Sequence, residues 1–229
     1  MSAVITSLLK AFGQLGDPAV LRILAKSMAI TLAIFAIGGS ATLYALYHAL
    51  IAWGVGFSAE LSSIAALIFT LTAGWFLFRI VAIAVLQFFA DEVVLAVERR
   101  HYPVEAQQAR ALPFREDLSN SLRGIVRTLL VNLVALPVAL ILLFTAIGPA
   151  VVFFLANAIL LGRELTDMAW LRHQFEPETG SPVSPAQRFA LGAAVAGLMV
   201  IPFLNLLAPI LGAAAGTHLL HTCRNANAK

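Results

Sequence analysis

Two long apolar runs, from Ser27 to Trp53 and from Leu61 to Phe89, constrain this chain more than any other feature. Each exceeds the ~20 helical residues that cross the hydrocarbon of a bilayer, so both can span it with some tilt. The rest of the chain is also apolar: 60% of the 229 residues are hydrophobic, 12% are charged, and the mean hydropathy is +0.90. A soluble domain of that balance would lack the polar surface to cover itself. The fold class that follows is an all-α integral membrane protein, with residues 1–229 forming a single membrane domain.

Residues 1–26 read as an interfacial N-terminal helix and turn. Val4, Ile5, Leu8, Leu9, Phe12 and Leu15 recur at helical spacing, and Ser2, Thr6, Ser7, Lys10 and Gln14 fall on the other side. Lys10, Asp17, Arg22 and Lys26 make the stretch too mixed for a cleavable signal peptide. Gly13, Gly16, Asp17 and Pro18 interrupt the pattern, with Pro18 placed in the first turn of the next helix and Asp17 as its cap.

Residues 27–89 then form the transmembrane helix pair, joined by a turn around Gly56 that has no lysine or arginine and so belongs outside. Arg79 is the basic residue inside a span, and snorkelling or pairing near a helix end accounts for it. Residues 90–124 are charged throughout and read as a cytoplasmic segment.

Two shorter repeats follow. Residues 125–161 make a first helical hairpin turning at Gly148-Pro149, whose second arm, Ala150 to Leu161, has only twelve residues before Gly162-Arg163-Glu164. Residues 189–221 make a second, breaking between Pro202 and Pro209. Arms of this length suit re-entrant segments that enter and leave on one face, although the longer arm of the first hairpin is long enough to span. An interfacial helix and loop at 162–188 separates the hairpins, and a tail at 222–229 follows the second.

Charge placement sets the orientation. Lys10, Arg22 and Lys26, the arginines from Arg99 to Arg127, then Arg163, Arg172 and Arg188, and finally Arg224 and Lys229, flank the segments on one side, whereas neither hairpin tip carries a charge. The positive-inside rule puts both termini and the central loops in the cytoplasm. The formal net charge of +3 is explained by this topology rather than by nucleic acid. The single cysteine, Cys223, excludes an intrachain disulfide.

The block Asn157-Ala158-Ile159-Leu160-Leu161-Gly162-Arg163-Glu164-Leu165, the Ile147-Gly148-Pro149 tip, and the segment Ile201-Pro202-Phe203-Leu204-Asn205-Leu206-Leu207-Ala208-Pro209 resemble the CysZ and etoposide-induced membrane protein family over nearly the whole chain. The resemblance implies two long transmembrane helices plus two hemi-penetrating hairpins, assembled into homo-oligomers. For the CysZ branch it implies sulfate uptake across the bacterial inner membrane. It also implies an anion site at the start of the first long helix, where that branch resembles Pro-Gly-x-Arg-Arg. Here the stretch reads Pro18-Ala19-Val20-Leu21-Arg22, so Pro18 and Arg22 match and Asp17 adds an opposing charge.

Other polar residues have competing explanations. Arg163, Glu164 and Asp167 either line a polar pathway or make an ordinary interfacial ion pair, Arg163 and Asp167 being four residues apart. Asn157 and Asn205 should bond to another helix or to freed backbone at a tip. His218 and His221 have ligand spacing, but with no carboxylate nearby in sequence an interfacial anchor explains them better than a metal. Gly212 and Gly216 offer a small face for close helix approach. Nothing in the sequence calls for a metal, a cofactor or an enzyme active site. Two functional classes remain, a transporter of a small anion such as sulfate and a non-transporting membrane scaffold.

Overall fold

A computed structural model describes residues 1–52, 59–176, 180–202 and 204–227. The turn around Gly56, Phe203 of the second tip and the side chain of Arg79 lie outside the described residues. The helices are α1 (Ser2–Gly13), α2 (Pro18–Ala52), α3 (Ala59–Phe88), α4 (Ala90–His101), α5 (Pro103–Gln108), α6 (Phe114–Ile141, continued by a 3-10 turn at Leu142–Thr145), α7 (Gly148–Trp170), α8 (Pro185–Val200) and α9 (Leu204–Asn227). No strand occurs among the described residues. Four helical segments, Pro18–Ala49, Phe114–Thr145, Gly148–Trp170 and Leu204–Asn227, are long and apolar enough to cross a membrane. The chain divides into two compact units, Leu21–Phe89 and the remainder.

The smaller unit pairs most of α2 with α3. Phe35 meets Phe78 with ring centroids 5.6 Å apart and lies 3.8 Å from the place where Gly74 would carry a Cβ. Lys26 sits 4.5 Å over the Phe89 ring. Because the α2 contact moves back along the chain as its partner moves forward, the two helices run antiparallel. Tyr44, Tyr47 and His48 cluster in the last turns of α2, the composition of an interfacial aromatic belt.

The larger unit is built around α9, which packs against α1, α4, α7 and α8. Small residues make this possible. A Cβ on Gly216 would overlap the Leu165 backbone, and one on Gly212 would press on the Leu165 side chain, so the small face expected on this helix lies against α7. The α7–α8 crossing is closer still: a Cβ on Gly162 would overlap the Arg188 carbonyl, and one on Gly192 the Ala158 carbonyl.

That crossing corrects the reading of Gly162-Arg163-Glu164 as a stop. Gly162 lies inside a continuous 23-residue helix and is there to admit α8, so the second arm of the first hairpin reaches Trp170 instead of ending at Leu161. The tip does fall where expected. Thr145 Oγ1 accepts from the Gly148 N–H at 3.0 Å and donates to the Leu142 carbonyl at 2.7 Å, and Ala146 takes a positive φ of 59°. A non-glycine residue there stores strain of about 1–3 kcal/mol. In the second hairpin α9 begins at Leu204 and carries Pro209 inside its first turns, so Pro209 opens no separate helix.

Helix α1 shows which side of the expected interfacial helix meets the protein. Val4, Ser7 and Ala11 are its buried residues, and Gln14 just beyond it is buried too, while Ile5, Leu9 and Phe12 are exposed. The small and polar side therefore contacts protein and the bulky apolar side is left for lipid.

Candidate functional site

Between α6 and the α7–α8 pair opens a groove of ≈ 1540 Å³, lined by seven arginines and five carboxylates. The chain builds it from helix packing. Gly162 brings α8 against α7, which sets Arg188 beside Arg163 and Asp167 one helical turn apart. Asp167 accepts from Arg163 Nε at 3.3 Å and pairs with Arg188 at 3.3 Å through its other oxygen. Arg127, from α6, stands within electrostatic reach of Arg163, Asp167 and Arg188. At the far wall Arg110 holds Glu116 through both terminal nitrogens, and its backbone N–H bonds to the Arg172 carbonyl at 2.9 Å. Three buried donors lining this groove, Arg110 Nε, Arg188 Nε and Asn120 Nδ2, have no hydrogen-bond partner among the described residues. Buried donors without acceptors are costly, so each marks a position where an acceptor would be favourable.

A second polar cluster lies inside the same unit. Glu98 of α4 is fully buried and receives three donors: Arg172 at 3.0 Å, His173 at 2.8 Å and His221 at 3.3 Å. Burial pushes its carboxyl up, but the two histidine hydrogen bonds and the Arg172 charge outweigh this and hold it down at about 2. The Tyr102 ring stacks on His221 with centroids 4.3 Å apart, and its hydroxyl pairs with His218 Nδ1 at 2.8 Å. His218 Nε2 in turn meets the Gln14 amide, tying α1 into the network.

Glu98, His173 and His221 each present one ligand atom, all within 4.8 Å of one another. The carboxylate that the sequence reading lacked beside the histidines is therefore supplied by α4, and the histidines are buried rather than interfacial. The hydrogen bonds nevertheless favour a polar lock. Arg224 approaches His173 Nδ1 at 3.4 Å, which makes that nitrogen the acceptor and leaves the proton on Nε2, donated to Glu98. A metal would need the same Nε2 lone pair, beside the Arg172 guanidinium.

The family model described as Sulfate transporter CysZ/Etoposide-induced protein 2.4 matches residues 7–209. The chain belongs to this family. The comparisons with curated proteins and with solved structures found no match. In this CysZ/etoposide-induced family member the matched stretch carries the whole groove and Glu98, and stops before His218 and His221.

The sequence-derived residues distribute unevenly. Arg163, Glu164 and Asp167 all line the groove. Asn157 does not join them: it is exposed and donates to the Phe153 carbonyl of its own helix at 2.9 Å, so the interhelical bond expected of it is absent among the described residues. Pro18 opens α2 and Arg22, one turn later, is exposed without an ion pair among the described residues. Asp17, read as opposing an anion there, is engaged by Arg100 at 3.1 Å and His101 at 3.7 Å. Arg127, Arg188 and Glu98 were not singled out, because what makes them matter is a partner on another helix.

Proposed function

We propose that this chain is a CysZ-like membrane transport protein that mediates uptake of sulfate or another small anion across the bacterial inner membrane, without enzymatic activity. The observation that carries the reading is the arginine-lined groove with its buried donors unpartnered among the described residues, in a membrane protein of the family that joins sulfate transporter CysZ and etoposide-induced protein 2.4. In this reading α2 and α3 cross the bilayer, the α6–α7 and α8–α9 pairs are re-entrant hairpins, both termini are cytoplasmic, and the exposed apolar face of α6 meets lipid or a second copy in a homo-oligomer. Arg22 and the free N–H groups of the turn begun by Pro18 form the entry contact for the anion.

Radiolabelled sulfate flux into liposomes tests the function, since a scaffold gives no protein-dependent uptake. Arg22→Ala should weaken sulfate binding by about tenfold or more, the expected cost of a charge-assisted contact; unchanged affinity on purified protein removes Arg22 from the site. The hairpins have their own test in a Cys223→Ser background. Cysteines at Ile147 and Leu204 should resist an impermeant thiol reagent added outside, whereas one at Ser58 should label. Strong outside labelling at either tip would mean that the hairpin crosses.

A further inference from the structure

We infer that Arg127, Arg163 and Arg188, gathered around the single carboxylate of Asp167, form a binding site for a doubly charged tetrahedral oxyanion. The inference deepens the transport reading and rests on it only for the identity of the occupant as a free ion. In the ion pairs and charge interactions described for them, three guanidinium groups share the Asp167 carboxylate, so positive charge is in excess there. Arg163 and Arg188 each give Asp167 one long contact of 3.3 Å, which is neither short nor bidentate, and so retain donors. The buried Nε of Arg188 is one of them and has no acceptor among the described residues.

The arrangement is also preorganised. Arg163 and Arg188 project from two helices whose backbones touch at Gly162, so their separation is fixed by packing, while Arg127 approaches from α6 across the open side of the groove. Asp167 holds two of the guanidinium groups in place while the site is empty. A dianion with four oxygens answers that excess of positive charge and supplies each arginine with a directional acceptor; a halide carries one charge and no paired oxygens for a guanidinium fork. Sulfate and phosphate share this chemistry with the phosphomonoester headgroup of phosphatidic acid, so the occupant's source is part of the test.

Isothermal titration of the purified full-length protein with sodium sulfate, at constant ionic strength with chloride as the balancing ion, gives one arm; nanodiscs with and without phosphatidic acid give the other. Arg127→Gln and Arg188→Gln should each weaken oxyanion binding about tenfold or more. Arg188→Lys, which keeps the charge and loses the Nε donor, should fall between. Asp167→Asn should strengthen binding, and Arg99→Gln, an exposed arginine outside the groove, should leave it unchanged. Arginine-dependent binding of sulfate identifies a free ion, and arginine-dependent binding of phosphatidic acid alone identifies a lipid headgroup.

Binding that survives both glutamine variants, or that Arg99→Gln weakens equally, overturns the site, as does binding in neither arm. Thermal melting of each variant separates lost binding from lost folding, and Arg188→Lys keeps the test informative if a glutamine variant melts early. The two readings fail separately: sulfate binding and flux that both persist in the glutamine variants remove this site and leave transport, while arginine-dependent binding without flux in wild-type liposomes removes transport and leaves the site.

Discussion

Replacing Glu98 with alanine should destabilise the larger unit by about 3–5 kcal/mol, the usual cost of removing one partner from a buried ion pair and leaving the others uncompensated. Arg172, His173 and His221 would all lose their acceptor, and the last two are at most 4% exposed. The readout is a large drop in melting temperature in detergent. The pH dependence has a defined sign. The Glu98 carboxyl is held at about 2 in the folded protein against an ordinary value of 4.5, so its contribution is complete above pH 4.5 and is lost as pH falls toward 2. A depression of that size corresponds to ~3 kcal/mol. Wild-type protein should therefore lose stability between pH 5 and pH 3 (about these bounds) by more than Glu98→Gln does. Parallel losses in the two proteins would show that Glu98 is not the group responsible.

Gly192→Val should be comparably damaging for a different reason. The added Cβ meets the Ala158 carbonyl, which is backbone and cannot swing aside, so α7 and α8 must separate. Overpacking against side chains costs about 1–3 kcal/mol; an obstacle in the main chain of a helix belongs at or above the upper end of that range. The separation would also move Arg188 away from Asp167, so oxyanion binding should fall together with stability. Gly197→Ala on the same helix is the comparison, because a Cβ there meets nothing within 4 Å. It should be neutral or stabilise by up to ~1 kcal/mol through helix propensity. Equal melting temperatures for Gly192→Val and wild type would refute the close crossing.

The helices were legible in the sequence because a run of twenty or more apolar residues has few alternatives, and the first hairpin tip was legible because Gly148-Pro149 punctuates such a run. Breaks within helices were read less well. Gly162 followed by two charges looked like an end, but glycine at a helix crossing and charges facing a groove produce the same local pattern. The start of α8 was missed: a capping box at Ser184, where the Gln187 side chain accepts from the Ser184 N–H at 2.9 Å and Pro185 fills the first turn, opens the helix ahead of the expected residue 189. For α1, hydrophobic periodicity identified the apolar side, but Val4, Ser7 and Ala11, which pack on the protein, were not legible as a contact face. Of the candidate site, the Arg163–Asp167 pair was visible because it is local. Arg188 and Arg127 were not, and neither was Glu98, whose partners lie 74, 75 and 123 residues away.

Apolar composition serves two ends in this chain, and α9 shows the difference. In its most apolar stretch 83% of residues are buried inside the protein, against 11% for α6. Hydropathy alone would deliver either helix to the hydrocarbon, yet α9 ends surrounded by its neighbours. Lipid tails are as apolar as leucine, so its withdrawal from them gains little from hydrophobicity and must be driven by the fit of Gly212, Ala213 and Gly216 and by partners for His218 and His221. The place of α9 is therefore decided by shape and polar matching rather than by hydropathy, and a substitution that only blunts the match would weaken its hold on α1, α7 and α8 without changing its apolar character.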